Sequence, residues 1–338
     1  MLRKALFIFA LLLPVASRAA GETALPPDSL KTKVVRTARK VDHFLLKNQQ
    51  KQTTNTDYIF KPQQKWLFRT RSDLVFNLNE FHYDHRGTLL DYGMDLKAKP
   101  LFRQHFGVGY RGVILGFGIA IPFKNKDKEF SLKVYANRLG GEVTYGSIGS
   151  YQGTMDLLGM EFDVKPGDMP SHYIRVGGYY AFNWKKFSMP AAMTQAFIQR
   201  KSAGSPLATV GFRANWGEYR PNKSRNRHFF FGIGGGYGYN WVPSEHWLLH
   251  ISATETLGLV GVSRIAASKD NVTKFGMRFL PLLTAGNAAV IFYYKRFYTG
   301  LFATADVLFI PTQERQHKGK YFYTMSHVTA HLTVGFRL

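Results

Sequence analysis

Hydrophobic and polar residues alternate with a period of two along most of this 338-residue chain. The last segment, from Tyr321 to Leu338, shows the pattern most clearly, because its alternate positions form an apolar set and a more polar set without a break. Successive side chains of a β-strand point to opposite faces, so this period predicts a strand with two chemically different sides. Similar segments recur from Trp66 onward, which makes strands the main element of the chain.

The alternating segments predict twelve strands, many of them longer than the roughly 5 to 6 residues usual in globular proteins. Ten or fourteen strands also fit, because the alternation is irregular over 140–165 and 185–205. Long strands in an even number, apolar on one side, are typical of barrels that span a membrane. We therefore predict an all-β fold, a transmembrane antiparallel β-barrel of about twelve strands formed by residues 63–338. The predicted strands are 64–81, 87–99, 105–123, 129–139, 155–164, 171–184, 206–219, 227–241, 246–262, 284–296, 299–311 and 321–338.

The connections differ in length on the two ends of this barrel. The last strand must pair with the first, since an open edge in lipid would leave backbone groups without partners. With the C-terminus in the periplasm, the stretch 185–205 is unusually long for the periplasmic side, which indicates either a segment folded into the barrel or an error in the strand count. The predicted short turns are Val242–Glu245 and Arg296–Gly300, and the predicted external loops are Arg220–Arg227, 263–283 and Thr312–Lys320.

Residues 1–19 have the three parts of a secretory signal peptide. Arg3 and Lys4 precede an apolar run from Ala5 to Val15, and small residues follow at Ser17–Ala19. The apolar run is too short for the roughly 20 residues that a spanning helix needs. We expect export to the outer membrane of a Gram-negative bacterium.

Residues 20–62 differ from the rest and predict a short periplasmic amphipathic helix with a linker. Leu30, Val34, Ala38, Val41 and Leu45 recur at helical spacing among lysine and arginine residues. Such a basic helix either packs on one end of the barrel or contacts anionic membrane lipid, and the first interpretation is the simpler one.

Composition narrows the expected partners. The chain has no cysteine, which excludes disulfides and thiolate metal sites, and we predict no cofactor. The formal net charge of +23 would suggest nucleic acid in a cytosolic protein, but the predicted export argues against that partner. Outer-membrane lipid, lipopolysaccharide and anionic small solutes are the expected partners instead. The terminal strand, with Phe336 close to its end, also resembles the signal read by the outer-membrane assembly machinery.

Charged residues on the polar faces of the strands form the main functional candidate. They predict either a packed, salt-bridged network that holds a narrow barrel rigid, or a constricted conduit whose transverse field selects anions. The small interior of a twelve-stranded barrel favours the network. The set contains Arg69, Arg71, Asp73, Asp91, Asp95, Lys97, Arg111, Arg175, Arg213, Asp306 and Arg337.

His250 and Ser252 form a weaker, catalytic candidate. Outer-membrane lipid hydrolases use a histidine as the base for a nearby serine on a barrel strand. Strict alternation points both residues inward here, whereas such an enzyme needs access from the bilayer, so a non-enzymatic protein is the preferred interpretation. No metal site is predicted, because His327 and His331 lie about 13 Å apart on a strand, too far to share one metal ion.

Two further stretches have other interpretations. The glycines of Gly232–Gly238 lack the strand-turn-helix context of a dinucleotide site, and they predict a wall that leaves room in a filled lumen or lets another segment pack closely. A predicted external loop is basic, which indicates binding of lipopolysaccharide or of a partner protein. Its cations are Arg220, Lys223, Arg225 and Arg227.

Three stretches resemble a family from Bacteroidota, domain of unknown function 4421. They are Asn55–Ile59, Phe187–Ser205 and Gly236–Trp241. The resemblance spans most of the chain after the signal and implies an exported outer-membrane barrel, and it carries no catalytic residues. The expectation is therefore a non-enzymatic narrow channel or scaffold with an arginine-rich lumen. The alternatives are a lipid hydrolase and a lipopolysaccharide- or partner-binding barrel.

Overall fold

The computed structural model describes residues 43, 54–84, 92–98, 100–121, 127–157, 160–221, 223–266, 272–314 and 320–338. The chain divides into two compact units, Met1–Thr53 and Thr54–Leu338. In the first unit only His43 is described, and its backbone is helical. The predicted signal peptide and most of the predicted basic helix thus lie outside the described residues. Within the described part of the chain, no helix has the length and apolar character needed to cross a membrane.

Strands account for nearly all of the described secondary structure, together with one short helix, α1 (Met189–Met193). The strands are β1 (Ile59–Phe60), β2 (Trp66–Asp84), β3 (Tyr92–Ala98), β4 (Leu101–Tyr110), β5 (Val113–Ile121), β6 (Lys128–Tyr135), β7 (Leu139–Ile148), β8 (Tyr151–Leu157), β9 (Met160–Val164), β10 (Ser171–Ala181), β11 (Ile198–Gln199), β12 (Ala203–Tyr219), β13 (Ser224–Ser244), β14 (Trp247–Ala266), β15 (Val272–Met277), β16 (Leu282–Tyr294), β17 (Phe297–Glu314) and β18 (Lys320–Arg337).

Twelve of these strands close into an antiparallel barrel, in the order β2, β4, β5, β6, β7, β10, β12, β13, β14, β16, β17 and β18. The last strand pairs with the first over its whole length, from Arg337 opposite Leu67 to Lys320 opposite Asp84. Closure satisfies the backbone of both terminal strands, as a barrel in lipid requires. The predicted all-β barrel of twelve strands is confirmed.

The predicted strand boundaries were partly wrong. The segment 105–123 covers most of β4 and all of β5, which are joined by a two-residue turn at Arg111 and Gly112, where both residues have positive φ. The turn preserves the apolar pattern, so alternation alone could not reveal it. β7 was missed, whereas two predicted strands, 87–99 and 155–164, lie outside the barrel: β3 pairs beside β2, and the hairpin β8–β9 pairs with β3. The count of twelve holds because these errors offset one another.

The two ends of the barrel differ, and we name them for what they carry. The terminal end holds Trp66 and Leu338, whose backbones exchange two hydrogen bonds of 2.9 Å. Its barrel strands are joined by short turns at 111–112, 136–138, 245–246 and 295–296 and by one long connection, 182–202. The opposite, loop end carries the other connections, including the additional strands β3, β8, β9 and β15.

The outer wall of the barrel is apolar. Large hydrophobic side chains are exposed at alternate positions of every long strand, as with Leu301 (63% exposed) and Ile251 (64% exposed). Aromatic residues concentrate where strands end, including Trp247 against Phe292, with ring centroids 5.0 Å apart. A continuous apolar wall bordered by aromatic residues is the surface that a transmembrane barrel presents to lipid.

A plug fills the terminal end. We define the plug as residues 182–202 together with 54–60. Its two parts join through the ladder between β1 and β11, and the amide of Asn55 donates to the carbonyl of Lys185 at 2.9 Å. This long connection is the segment that the sequence marked as anomalous, and it is folded into the barrel.

Aromatic side chains fill the loop end. Tyr321, Tyr323, Phe230 and Phe275 are fully buried there in one hydrophobic cluster. The rings of His228 and Tyr323 are stacked with centroids 3.7 Å apart. The lumen is therefore occupied at both ends, and its polar section lies between them.

Candidate functional site

The polar section of the lumen contains a cavity of about 220 Å³. Met189, Met193 and Gln195 of the plug line it, and so does Leu283 of the loop-end cluster. Most of the remaining lining consists of charged and polar side chains from the barrel wall.

Glu129 on β6 is the centre of the charge network. Its carboxylate lies 2.7 Å from Nη1 of Arg103 and 3.2 Å from Nη2 of Arg175. The hydroxyl of Tyr173 donates to it at 2.6 Å, and Arg71 lies 3.7 Å away. A buried carboxylate is stable only with such compensation, because its desolvation is costly.

A second acid, Asp73, extends the network to β2. Arg71 binds it with two nitrogens, at 2.7 and 2.8 Å, in the forked geometry that suits guanidinium and carboxylate. His105 lies between the two acids, with Nε2 at 3.3 Å from Asp73 and 3.4 Å from Glu129. The arrangement ties β2, β4 and β6 together on the inner wall.

Arg175 crosses the lumen. One nitrogen lies near Glu129, and Nη1 is 3.6 Å from Asp306 on β17, nearly opposite in the barrel order. This contact bridges two walls, so the network braces the barrel across its width.

Two arginines of the cavity wall have no carboxylate within 4 Å among the described residues. Arg213 donates instead to the backbone carbonyls of Val176 and Phe212, each at 3.1 Å. Arg69 lies along the wall over Gly107, where a β-carbon would come within 2.9 Å of its side chain. Lys133, by contrast, is paired with Glu142 at 2.8 Å.

The cavity therefore carries a surplus of positive charge. Its described lining has six cationic side chains and four carboxylates, a difference of two. The cations are Arg69, Arg71, Arg103, Lys133, Arg175 and Arg213, and the acids are Asp73, Glu129, Glu142 and Asp306. In a confined space such a surplus attracts anions.

The structure brings together most, but not all, of the charged residues proposed from the sequence. Arg69, Arg71, Asp73, Arg175, Arg213 and Asp306 line the cavity. Asp95 and Lys97 do not, because β3 lies beside the barrel; both are exposed, and Asp95 is 3.8 Å from His82. Arg111 is also misplaced, since it sits in the turn between β4 and β5. Asp91 lies outside the described residues.

Four charged members of the lining were not predicted from the sequence. Arg103, Glu129, Lys133 and Glu142 all occupy inward positions of their strands. Two of them could have been predicted from the alternation along β6. Its outward residues Phe130, Leu132 and Val134 alternate with Glu129 and Lys133, which places these two charges inside.

Arg337 anchors the plug and takes no part in the central network. It donates to the carbonyl of Gln195 from two nitrogens, at 2.8 and 3.2 Å. Its guanidinium also lies over the rings of Tyr293 and Tyr298. Tyr293 in turn donates to the carbonyl of Ala191 in α1 at 2.8 Å, so two strands of the wall hold the plug.

His250 and Ser252 lie close together, buried between the wall and the plug. Nε2 of His250 is 3.1 Å from the hydroxyl of Ser252, and Nδ1 is 2.7 Å from the amide oxygen of Asn240. The amide nitrogen of Asn240 donates to Ser188 and to Gln199 of the plug. We call these three residues the Asn240–His250–Ser252 row. The row has the distances of an orienting group, a base and a nucleophile, and it also joins the plug to β13.

The predicted basic loop lies at the loop end, around the turn between β12 and β13. Arg220, Lys223, Arg225 and Arg227 are all exposed. Arg225 is paired with Glu218 at 2.8 Å, so part of the loop's charge is compensated.

The closed topology, the apolar outer wall and the filled polar lumen together define an outer-membrane-type β-barrel. The chain belongs to the family described as "Domain of unknown function (DUF4421)", which matches residues 52–338. No curated protein matches the sequence significantly.

Solved structures of bacterial outer-membrane proteins are similar to the chain. The outer-membrane protease OmpT from Escherichia coli has a TM-score of 0.35 at 5% identity, over 82% of this chain and 98% of that chain. The outer-membrane-expressed OmpT of Vibrio cholerae has a TM-score of 0.30 at 8% identity, covering 81% and 99%. The Pseudomonas putida toluene transporter TodX has a TM-score of 0.30 at 8% identity, covering 82% and 90%. Similarity at this level carries no inference about activity.

Proposed function

We propose that the protein is a non-enzymatic barrel of the outer membrane whose plugged, charge-braced lumen admits small anions when the plug is displaced. The observation that carries this proposal is the cavity between plug and aromatic cluster, with its surplus of two positive charges. A charge network that only braced the barrel would be expected to balance, whereas Arg69 and Arg213 face the cavity without a carboxylate within 4 Å among the described residues.

The plug determines how often the lumen is expected to conduct. Its contacts with the wall include the hydrogen bonds from Tyr293 and Arg337 to carbonyls of the plug. Passage through the lumen requires these contacts to break, so the resting protein should conduct rarely. Without them the remaining constriction is the arginine-rich section, which should favour anions.

Conductance in planar bilayers tests this function. The wild-type barrel is compared with a Tyr293→Phe, Arg337→Gln double variant and with the same variant carrying Arg213→Gln. We expect rare openings in the wild type, frequent anion-preferring openings in the double variant, and a weaker anion preference after Arg213→Gln. Permanent, unselective conductance of the wild type would contradict the proposal.

Location and orientation belong to the same proposal. The short turns of the terminal end favour a periplasmic position for it, and the loop end would then face outward. Export through residues 1–19 and an origin in Bacteroidota stay predictions. Protease added to intact cells should cleave at the loop end and leave the terminal end protected.

A second candidate function is ester hydrolysis. It rests on the Asn240–His250–Ser252 row, whose two distances of 2.7 and 3.1 Å suit a serine nucleophile. A fluorophosphonate probe tests it on the folded wild type, on the plug-releasing double variant and on Ser252→Ala. Labelling that requires Ser252 would support hydrolysis, whereas no labelling of the plug-released variant would leave the row as an anchor of the plug.

A further inference from the structure

The terminal end of the barrel is strongly basic. Its described turns, plug and adjoining residues expose or half-expose ten cationic side chains and only two acidic side chains, Asp57 and Glu245. The cations are Lys61, Lys65, Arg111, Arg138, Lys185, Lys186, Arg200, Lys201, Lys295 and Arg296.

Four of these cations form one face on the outside of the plug, which we call the basic plug face: Lys185, Lys186, Arg200 and Lys201. All four are exposed, whereas Phe187 and Gln199 beside them in sequence are buried. The basic plug face therefore points away from the lumen.

Aromatic rings hold these cations close together. The ammonium groups of Lys186 and Lys201 both lie over Tyr58, at 5.3 and 5.7 Å from the ring centre. Arg200 lies over Phe60 at 4.6 Å, and Lys185 over Trp184 at 5.8 Å. Cation–π contact positions each charge without neutralising it.

No carboxylate of the described residues lies within 4 Å of any cation of the basic plug face. Like charges on one rigid surface repel each other and create a positive potential that a complementary anionic surface would relieve. The basic plug face therefore presents uncompensated positive charge to an anionic partner.

The position of the face indicates what kind of partner covers it. Lipid headgroups surround the barrel and can reach cations of the turns, such as Arg138 and Arg296. The basic plug face belongs to the segment that fills the lumen at this end, whereas bilayer lipid lies outside the ring of strands. Lys185 is the cation beside a strand turn, because it shares the ring of Trp184 with Arg138. The chain's own residues 20–53 fit poorly, since they carry seven lysine and arginine residues against three acids.

We infer that the basic plug face is a docking site for an acidic polypeptide at the terminal end of the barrel. This inference concerns a different surface from the lumen and does not depend on anion passage. An acidic segment placed there would contact the four cations and the rings of Tyr58 and Phe60 at once.

Binding of fluorescent poly-L-glutamate to the full barrel in zwitterionic phosphatidylcholine nanodiscs tests the inference by anisotropy. The test variant replaces Lys185, Lys186, Arg200 and Lys201 by glutamine. The matched control makes the same change of four charges at the loop end, at Arg220, Lys223, Arg225 and Arg227. Heat-modifiable migration on gels verifies that both variants are folded.

We expect salt-sensitive binding by the wild type and near-wild-type binding by the control. The plug variant should bind at least roughly tenfold more weakly than the wild type, since each cation facing an anionic surface contributes about fivefold and the variant removes four. Equal weakening in both variants would show a bulk charge effect and overturn the inference. Unchanged binding by the plug variant would overturn it too. Binding to vesicles that contain anionic phosphatidylglycerol is measured in parallel. If the plug variant loses affinity for these vesicles and keeps its affinity for poly-L-glutamate, lipid is the ligand and the inference is overturned.

Discussion

Glu129 shows how single residues support this barrel. It holds two guanidinium groups within 3.2 Å and receives a hydrogen bond from Tyr173, all on the inner wall. Small residues make room for this layer. At Gly118, for example, a β-carbon would fall on the imidazole of His105. Inward charged side chains and the glycines that leave room for them therefore lie side by side on neighbouring strands.

Replacing Glu129 by glutamine should destabilise the folded barrel strongly. The change removes the carboxylate next to Arg103 and leaves Arg175 with only Asp306, at 3.6 Å, and removing one partner of a buried pair costs about 3–5 kcal/mol. Urea unfolding in lipid vesicles, followed by tryptophan fluorescence, measures the free energy of unfolding.

Glu218→Gln is the matched control, since its ion pair with Arg225 is exposed on both sides. An exposed pair contributes about 0–1 kcal/mol, so this variant should unfold close to the wild type. Equal losses in the two variants would mean that Glu129 is not the centre of a buried network.

Alternation identified lumen residues only where a strand had been delimited correctly. Arg69, Arg71 and Asp73 were found because β2 was predicted nearly at its true bounds. Arg103 was missed because the strand containing it was predicted to begin at 105. Asp95 lies on a true strand, yet β3 runs beside the barrel, a fact of pairing that no local pattern contains.

At the scale of elements, the plug depends on local capping and on close approach to one wall. Ser188 caps α1 by accepting from the amide of Ala191 at 3.2 Å, and its hydroxyl donates to Asn137 at 2.6 Å. Phe187 packs so near Gly238 that a β-carbon there would lie 2.9 Å from its ring. The glycine run of β13 thus lets another segment pack closely, one of the two uses that the sequence suggested.

Gly238→Val should displace the plug. The added side chain collides with Phe187, and moving that ring disturbs the neighbouring contacts of Asn240 with Ser188 and Gln199. We expect more frequent channel openings in planar bilayers than for the wild type.

Gly286→Val is the control, because the nearest atom to its β-carbon position is 3.9 Å away, so the added atoms meet open space. Its conductance should match that of the wild type. Openings that increase equally in both variants would show that a general loss of stability, and not plug displacement, was measured.

At the scale of the whole molecule, the barrel is inverted relative to a soluble protein, with apolar residues outside and charges within. Val328 illustrates this arrangement, being 41% exposed in the middle of β18 between buried His327 and Thr329. The terminal end adds a basic surface, so membrane wall, lumen and docking face are separate regions of one barrel.

Val328→Arg should impair membrane insertion. An arginine on the lipid side near the middle of the bilayer costs about 2–4 kcal/mol, but only about 0–1 kcal/mol near an interface. Tyr294→Arg, at the end of β16 and 52% exposed, is the interfacial counterpart. Folding yield and unfolding in phosphatidylcholine vesicles compare the two variants, and equal costs would contradict the placement of the belt.

Alternation along the chain was enough to predict the barrel class and the division into outer and inner faces, because it is a local property that each strand displays independently. The count of twelve strands came out right only through offsetting errors. Which segments enter the barrel, where 182–202 folds and which charges meet all depend on contacts of the folded chain. Arg175 and Asp306 meet because closure of the barrel places their distant strands on opposite walls of one lumen, which the two side chains span. The plug has no periodic pattern, so its position follows from contacts with several strands at once. Such contacts are non-local, and no pattern along the chain encodes them separately.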